Sequence, residues 1–379
     1  MNSFINEFKT KYLILKNILK IYNKKIKFIF YSENKTYQKY SYSIIELLAD
    51  KYPNQIYYVS SDINDQIKSL KVHNLFLGTG ILMNFFFLIV KAENFFLTLT
   101  DLNNHAIKKT KNIDKYIYYF HAPVSTFKNY TKSAFDNYDI ILCNGKYHVE
   151  EIQHREKLKN LKKKKLILTG YFYFDYLLEK LNISNNPDEI LVAPSWNYKH
   201  KNFINENFLK IIDNLIKKNH NVTFRPHPEH FKRSKKTLNN IKIKFADNKN
   251  FKFDEDYENI KSMEKAKCLI TDSSGISIEY ILLLNRPVLY LEDVEKIHNE
   301  DFFDFKNFVS IDQKIKNNFG LIFYEKDIYK IDLLINESII NFKSKTLLLN
   351  QFIEENFFNF GKTKKGLKTI LENQILNNG

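Results

Sequence analysis

Short apolar runs alternate with longer helix-like segments along most of the chain, and no other property constrains its fold as strongly. "IKFIFYS", "QIYYVSS", "NLFLGTG", "NFFLTLT", "YIYYFHA", "DIILCNG" and "KKLILTG" read as strands. "SYSIIELLADKY", "ILMNFFFLIVKA" and "KYHVEEIQHREKLKNL" read as the helices between them. After a polar, turn-forming stretch from Glu179 to Glu189 the pattern resumes. There "EILVAPS", "NVTFRPHP", "NIKIKF", "KCLIT" and "RPVLYLE" are strand-like, with helical segments around "NENFLKIIDNLIKKN", "YENIKSMEKA" and "ISIEYILLL". Such alternation predicts an α/β protein whose parallel sheets carry helices on both faces. A chain of 379 residues exceeds one hydrophobic core. Two doubly wound, Rossmann-like domains in tandem are therefore expected, with a cleft between them. The predicted parts are an N-terminal helix (residues 1–27), a first domain (28–182), a second domain (183–350) and C-terminal helices (351–379) packing back on the first domain.

Composition narrows the partners. The 58 Lys and Arg outnumber the 43 Asp and Glu, giving a net charge of +15 that favours anionic ligands or an acidic surface. Lysine is abundant throughout, so part of this charge is compositional. No nucleic-acid recognition module emerges. Cys143 and Cys268 lie in separate strand-like runs, which suggests a reduced, cytoplasmic setting and no disulfide framework. Lysines scattered through the first 27 residues leave no apolar secretory segment, and the run from Leu75 to Val90 is too short and interrupted to span a bilayer. Ile5, Phe8, Tyr12, Leu15, Leu19 and Tyr22 recur at helical spacing among lysines. That helix either packs on its own domain or lies on an anionic membrane, where Lys162 to Lys165 would add attraction.

In doubly wound sheets ligands gather beyond the carboxyl ends of the strands, and the chemically informative residues fall there. Asp272-Ser273-Ser274-Gly275 connects a strand to a helix whose first N–H groups have no internal partners. This turn is either an ordinary cap or a phosphate site, with Glu279 one turn on and able to accept from ribose hydroxyls. Arg225 and His227 sit in a loop stiffened by Pro226 and Pro228, suited to neutralising a diphosphate. Ser195 follows another strand and could reach a phosphate; Trp196 beside it reads as a core or hinge residue. In the first domain, His121 follows a strand and is a candidate base, with Ser125 and Thr126 next along on the acceptor side. "DED" (Asp254 to Asp256) is weak evidence for a metal site, and no obligatory metal or cofactor is expected.

Taken together, "FYSENKTYQKY", "VSSDIND", "YFHAPVSTF", "AFDNYDIILCNGKYHVEEI", "TGYFYFD", "ILVAPSW", "RPHPE" and "LITDSSGISIEYILLLNRPV" resemble the landmarks of the CDP-glycerol glycerophosphotransferases, the teichoic-acid and capsule polymer transferases of GT-B fold. The resemblance runs from about Ile29 to Tyr290. It implies transfer of a glycerol-phosphate unit from CDP-glycerol to a hydroxyl of a cell-surface glycan or lipid-linked acceptor, with release of CMP. It further implies catalytic roles for His121 and His227, a donor site at Ser274, Gly275 and Glu279, and work at the cytoplasmic membrane face. Two positions depart from the family pattern: Gly275 stands where a serine is usual, and Ala122-Pro123 follow His121 in place of glycine. Other readings are a GT-B glycosyltransferase using a UDP- or CMP-sugar, a UDP-GlcNAc 2-epimerase, which shares the "TDSSG" turn, and a non-enzymatic assembly factor.

Overall fold

All but one of the runs read as strands pair in parallel sheets. In a computed structural model describing residues 2–104, 107–184, 186–197, 204–256, 258–292 and 296–370, the first seven strands form one sheet. They are β1 (Lys25–Ser32), β2 (Ile56–Ser60), β3 (His73–Phe76), β4 (Lys91–Leu97), β5 (Ile113–Tyr119), β6 (Ile140–Cys143) and β7 (Lys165–Leu168), in the order β3-β2-β1-β4-β5-β6-β7. Six more form a second sheet: β8 (Glu189–Val192), β9 (Asn221–Phe224), β10 (Phe251–Phe253), β11 (Ala266–Thr271), β12 (Val288–Leu291) and β13 (Gly320–Phe323), ordered β10-β9-β8-β11-β12-β13. The expected pair of doubly wound sheets is borne out.

Residue alternation explains why both faces are covered. Along β1, Phe28 and Phe30 pack toward the helix Lys35–Lys51, while Ile29 and Tyr31 enter the core on the opposite face. Phe30 stacks on Phe96 of neighbouring β4 with centroids 4.3 Å apart. Cys143 and Cys268 are buried free thiols in β6 and β11.

Three local readings change. Asn240 to Phe245, read as a strand, belongs to the helix Lys235–Phe245. That helix buries Leu238, Ile241 and Phe245 and leaves Ile243 76% exposed, so helical spacing overrode a local Ile-Lys alternation. Strand β13 was not anticipated; it lies in a polar stretch that precedes the closing helices. The N-terminal helix Asn2–Ile21 uses a different face from the one the spacing suggested. It buries Ile14, Ile18 and Ile21, and the Asn17 amide donates to the Phe76 carbonyl (2.8 Å). Tyr12, Leu15, Leu19 and Tyr22 stay exposed, and the side chains of Ile5 and Phe8 lie outside the described residues.

Two later segments, one between β12 and β13 and one after β13, pack on the first domain. Phe127 stacks with Phe302 and Phe305, Arg155 joins Asp136 to Asp301, and the His298 N–H donates to the Lys128 carbonyl (2.9 Å). Farther on, the helices Thr346–Asn356 and Thr363–Ile370 return to the first sheet. The Phe358 N–H donates to the Asn144 carbonyl (3.0 Å), and the Lys364 N–H donates to Asp175 (3.1 Å), which also takes the Thr363 hydroxyl. Gly170, at φ +90°, permits this seating, since a Cβ there would stand 2.2 Å from the Phe358 carbonyl oxygen. Of residues 351–379, the last nine lie outside the described residues.

Candidate active site

The order of the second sheet reverses at β8 and β11, and a crevice opens beyond the carboxyl ends of those neighbouring strands. Ser195 follows β8 and Asp272 follows β11, and the two meet. The Ser195 N–H and hydroxyl both donate to the Asp272 carboxylate, each at 2.7 Å. The Ser195 hydroxyl hydrogen, expected to reach a phosphate, is committed to Asp272 in this structure. The pair instead pins the two strand ends, and with them the start of the turn.

From that anchor the chain bends through Ser273, which is exposed, and half-buried Ser274 and Gly275 into the helix Ile276–Leu284. Ser277 donates its N–H (3.1 Å) and its hydroxyl (2.7 Å) back to the Ser274 carbonyl. The Ser274 and Gly275 amides have no partner among the described residues. Gly275 is in ordinary helical conformation (φ −58°). A Cβ on it would stand 3.9 Å from Ala122 and 3.8 Å from Val124, so the turn faces the loop after β5 that carries His121.

His121 sits among Tyr37, Tyr40 and Tyr130, with ring centroids about 6 Å away, and its Nδ1 is buried without a partner. Burial pulls its imidazole down to about 4, so the ring is neutral near pH 7. His227 caps the helix Pro228–Arg233, and its Nδ1 accepts from the Glu229 N–H (3.2 Å). In the neutral ring the proton must then sit on Nε2, leaving that atom a donor. Burial, then the charges of Lys296, His230, His121 and Lys232, hold His227 well below the usual imidazole range. His121 is thus close enough to His227 to disfavour its protonation.

Glu279 is buried one turn into the helix. It accepts from the Asn259 amide (2.9 Å) and, at 3.4 Å, from the Tyr171 hydroxyl of the first domain, which also donates to the His121 carbonyl (3.0 Å). Burial raises its carboxyl, opposed by Lys39, Asn259, Tyr171 and Arg225. Lys39 reaches this carboxylate from the first domain past the rings of Tyr40 and Tyr173, and burial lowers its ammonium to about 8. Arg225 pairs with Asp254 at 2.7 Å through one guanidinium nitrogen. Asp254 also accepts from the Asp256 N–H, so the acidic pair is occupied within the protein. Among the described residues no group of three or more His, Cys, Asp or Glu is placed to hold a metal ion.

Ser125 and Thr126, expected on the acceptor side, follow His121 on the same loop. Both hydroxyls donate to buried Glu151 at 2.7 Å, the Thr126 N–H joins them, and the Ser125 oxygen accepts from the Ile311 N–H. Burial pushes Glu151 up to about 7. These hydroxyls hold the loop bearing His121. Sequence reasoning missed Lys39, Tyr171, Asn259 and Lys296. Tyr171 lay inside "TGYFYFD", but nothing in the sequence sets Lys39 or Lys296 apart from the other lysines.

Known proteins share this fold. The chain resembles the solved wall teichoic acid polymerase TagF over 98% of both chains, with 16% identity and a TM-score of 0.60. It is also similar to a histidine-to-asparagine variant of TagF soaked with CDPG (16% identity, 98% of both chains, TM-score 0.59). The UDP-GlcNAc 2-epimerase of Neisseria meningitidis bound to UDP-GlcNAc matches at 15% identity over 93% of this chain and 100% of its own, with a TM-score of 0.61. At such identities these likenesses establish a shared two-sheet fold. Comparison with curated protein sequences gave no match. The family model described as CDP-Glycerol:Poly(glycerophosphate) glycerophosphotransferase matches residues 16–312, a span that holds the turn, both histidines and Glu279, and the chain is a member of that enzyme family.

Proposed function

We propose that the protein transfers glycerol phosphate from CDP-glycerol to a hydroxyl of a cell-surface glycan or lipid-linked acceptor, in the making of a teichoic-acid-like or capsule polymer. The acceptor oxygen forms a bond to the phosphorus that bears glycerol. The bridging P–O bond of the diphosphate breaks, and CMP leaves with the bridging oxygen. His121, neutral at working pH, takes the acceptor's proton. The free amides of the turn at Ser274 and Gly275, Arg225 and the Nε2–H of His227 stabilise charge on the transferred and departing phosphates. Glu279 receives the ribose hydroxyls.

The observation carrying this reading is the helix start with open amides that faces the loop bearing His121, with His227 close enough to feel the charge of His121. Purified enzyme given CDP-glycerol and a glycerol-phosphate-primed lipid in vesicles is expected to release CMP. His121→Ala and His227→Ala are each expected to slow this by about a hundredfold or more. Unchanged release in both variants overturns the assignment.

The acceptor places the enzyme at the cytoplasmic face of a membrane. No helix among the described residues is long and apolar enough to cross one. The N-terminal helix instead exposes Tyr12, Leu15 and Leu19 between lysines, and the helix Ile81–Ile89 that it touches exposes Ile81, Phe85 and Leu88. Together they offer an apolar surface with basic flanks for an anionic bilayer.

A further inference from the structure

Among the described residues one half-buried cation beside His227, Lys296, has no anion paired with it. The Lys296 ammonium lies 5.0 Å over the Trp196 ring, which is 6.3 Å from the ring of His227. Among the described residues Lys296 makes no ion pair or hydrogen bond. The carboxylates that act on it are Asp272 and Asp312. Both are spent elsewhere: Asp272 holds Ser195, and Asp312 accepts from the Ser125 N–H and the Asn129 amide. Two residues on, the His298 N–H is bonded to the Lys128 carbonyl of the first domain, so the loop carrying Lys296 is anchored across the cleft. A desolvated ammonium in this position is costly unless an anion joins it.

We infer that Lys296 is a further donor-site residue whose ammonium binds the diphosphate of the nucleotide-activated donor, with Trp196 as the surface that positions it. This rests on the reading that the cleft takes a nucleoside diphosphate donor, and it adds a residue outside the motifs that identify the family. Burial lowers Lys296 to about 8, so it is charged at neutral pH and loses its proton as pH rises past that value. The groups facing it are Asp272, Asp312 and His227, the last neutral over this range. Lys39, beside Glu279, also titrates near 8, so the lysines must be told apart by substitution and by a ligand that lacks ribose.

Trp196 is the only tryptophan, so its fluorescence reports on the site. The full chain is titrated with pyrophosphate, CDP, CDP-glycerol and UDP at pH 7.5 and 9.5, with calorimetry as a second readout of affinity. Wild type is expected to bind pyrophosphate and CDP at pH 7.5 and to weaken at least about tenfold at pH 9.5. Lys296→Gln is expected to show the same loss already at pH 7.5. Lys296→Arg is expected to hold its affinity at both pH values, because guanidinium stays protonated. If Lys296→Gln does not fold, the pH dependence of the arginine variant decides. Lys296-dependent binding of UDP but not CDP supports the inference while overturning the CDP-glycerol reading. Equal affinity of wild type and Lys296→Gln for pyrophosphate and CDP overturns it, as does a wild type that binds no diphosphate.

Discussion

His121 is surrounded by tyrosine rings, and the consequence shows in its acid–base behaviour. A general base acts only when neutral, and burial lowers this imidazole to about 4. Activity depending on it is present above that pH and lost as pH falls through it. The acid limb of kcat/KM, which reports the free enzyme, is therefore expected near pH 4, well below the ~6.5 of an ordinary histidine. A limb at 6.5 in a pH–rate profile would remove His121 as the base. Sequence placed His121, His227 and the Asp272 turn just after strands, where the structure has them, because a strand end followed by polar residues is visible as a pattern. It could not foresee the partners of Ser195, Ser125 and Thr126, because a hydroxyl carries the same letter whether free or spent. The carboxylates that occupy them, Asp272 and Glu151, lie 77 and about 25 residues away in sequence.

Helices and strands differ in how openly they declared themselves. The central strands were legible because parallel strands covered on both faces must be apolar almost without interruption, as at Phe28 to Tyr31 and Cys268 to Ile270. The short edge strand β13 was not, since its burial is partial and its neighbours are polar. The N-terminal helix misled because it carries two apolar stripes, and periodicity alone does not say which one the protein covers. That division yields a test. Ile18→Asp places a charge at a buried position and is expected to cost about 3 kcal/mol or more in denaturant unfolding. Leu15→Ser with Leu19→Ser, at exposed positions, is expected to change stability by less than about 1 kcal/mol. The same double variant is expected to sediment with anionic vesicles several-fold less than wild type. Undiminished sedimentation would take the helix out of the membrane reading.

At the scale of the molecule, the two sheets are joined by more than the passage between Lys180 and Glu189. The segment around Asp301 to Asp312 and the helices from Thr346 onward both rest on the first sheet. The outline of two doubly wound sheets was plain from alternation. These seams were not, because they depend on particular matches such as Arg155 with Asp301 and Gly170 with the Phe358 carbonyl. Truncation after residue 343 leaves all 13 strands intact in sequence. It nevertheless strips the Asn144 carbonyl and Asp175 of their partners and uncovers core residues packed against Leu349, Phe352 and Phe357. The truncated chain is expected to be insoluble or to melt well below the full chain by circular dichroism. A truncated chain as stable as wild type would show that the returning helices contribute little.

The seating of Phe358 against Gly170 also sets an order of events during synthesis. Nearly two hundred residues separate these partners. At ribosomal speeds of about 5–20 residues per second, the first half emerges roughly 10–40 s before the piece that closes it. Through that interval the nascent chain exposes apolar rings that only its own distant tail can shield, which makes the newborn enzyme a natural client for chaperones.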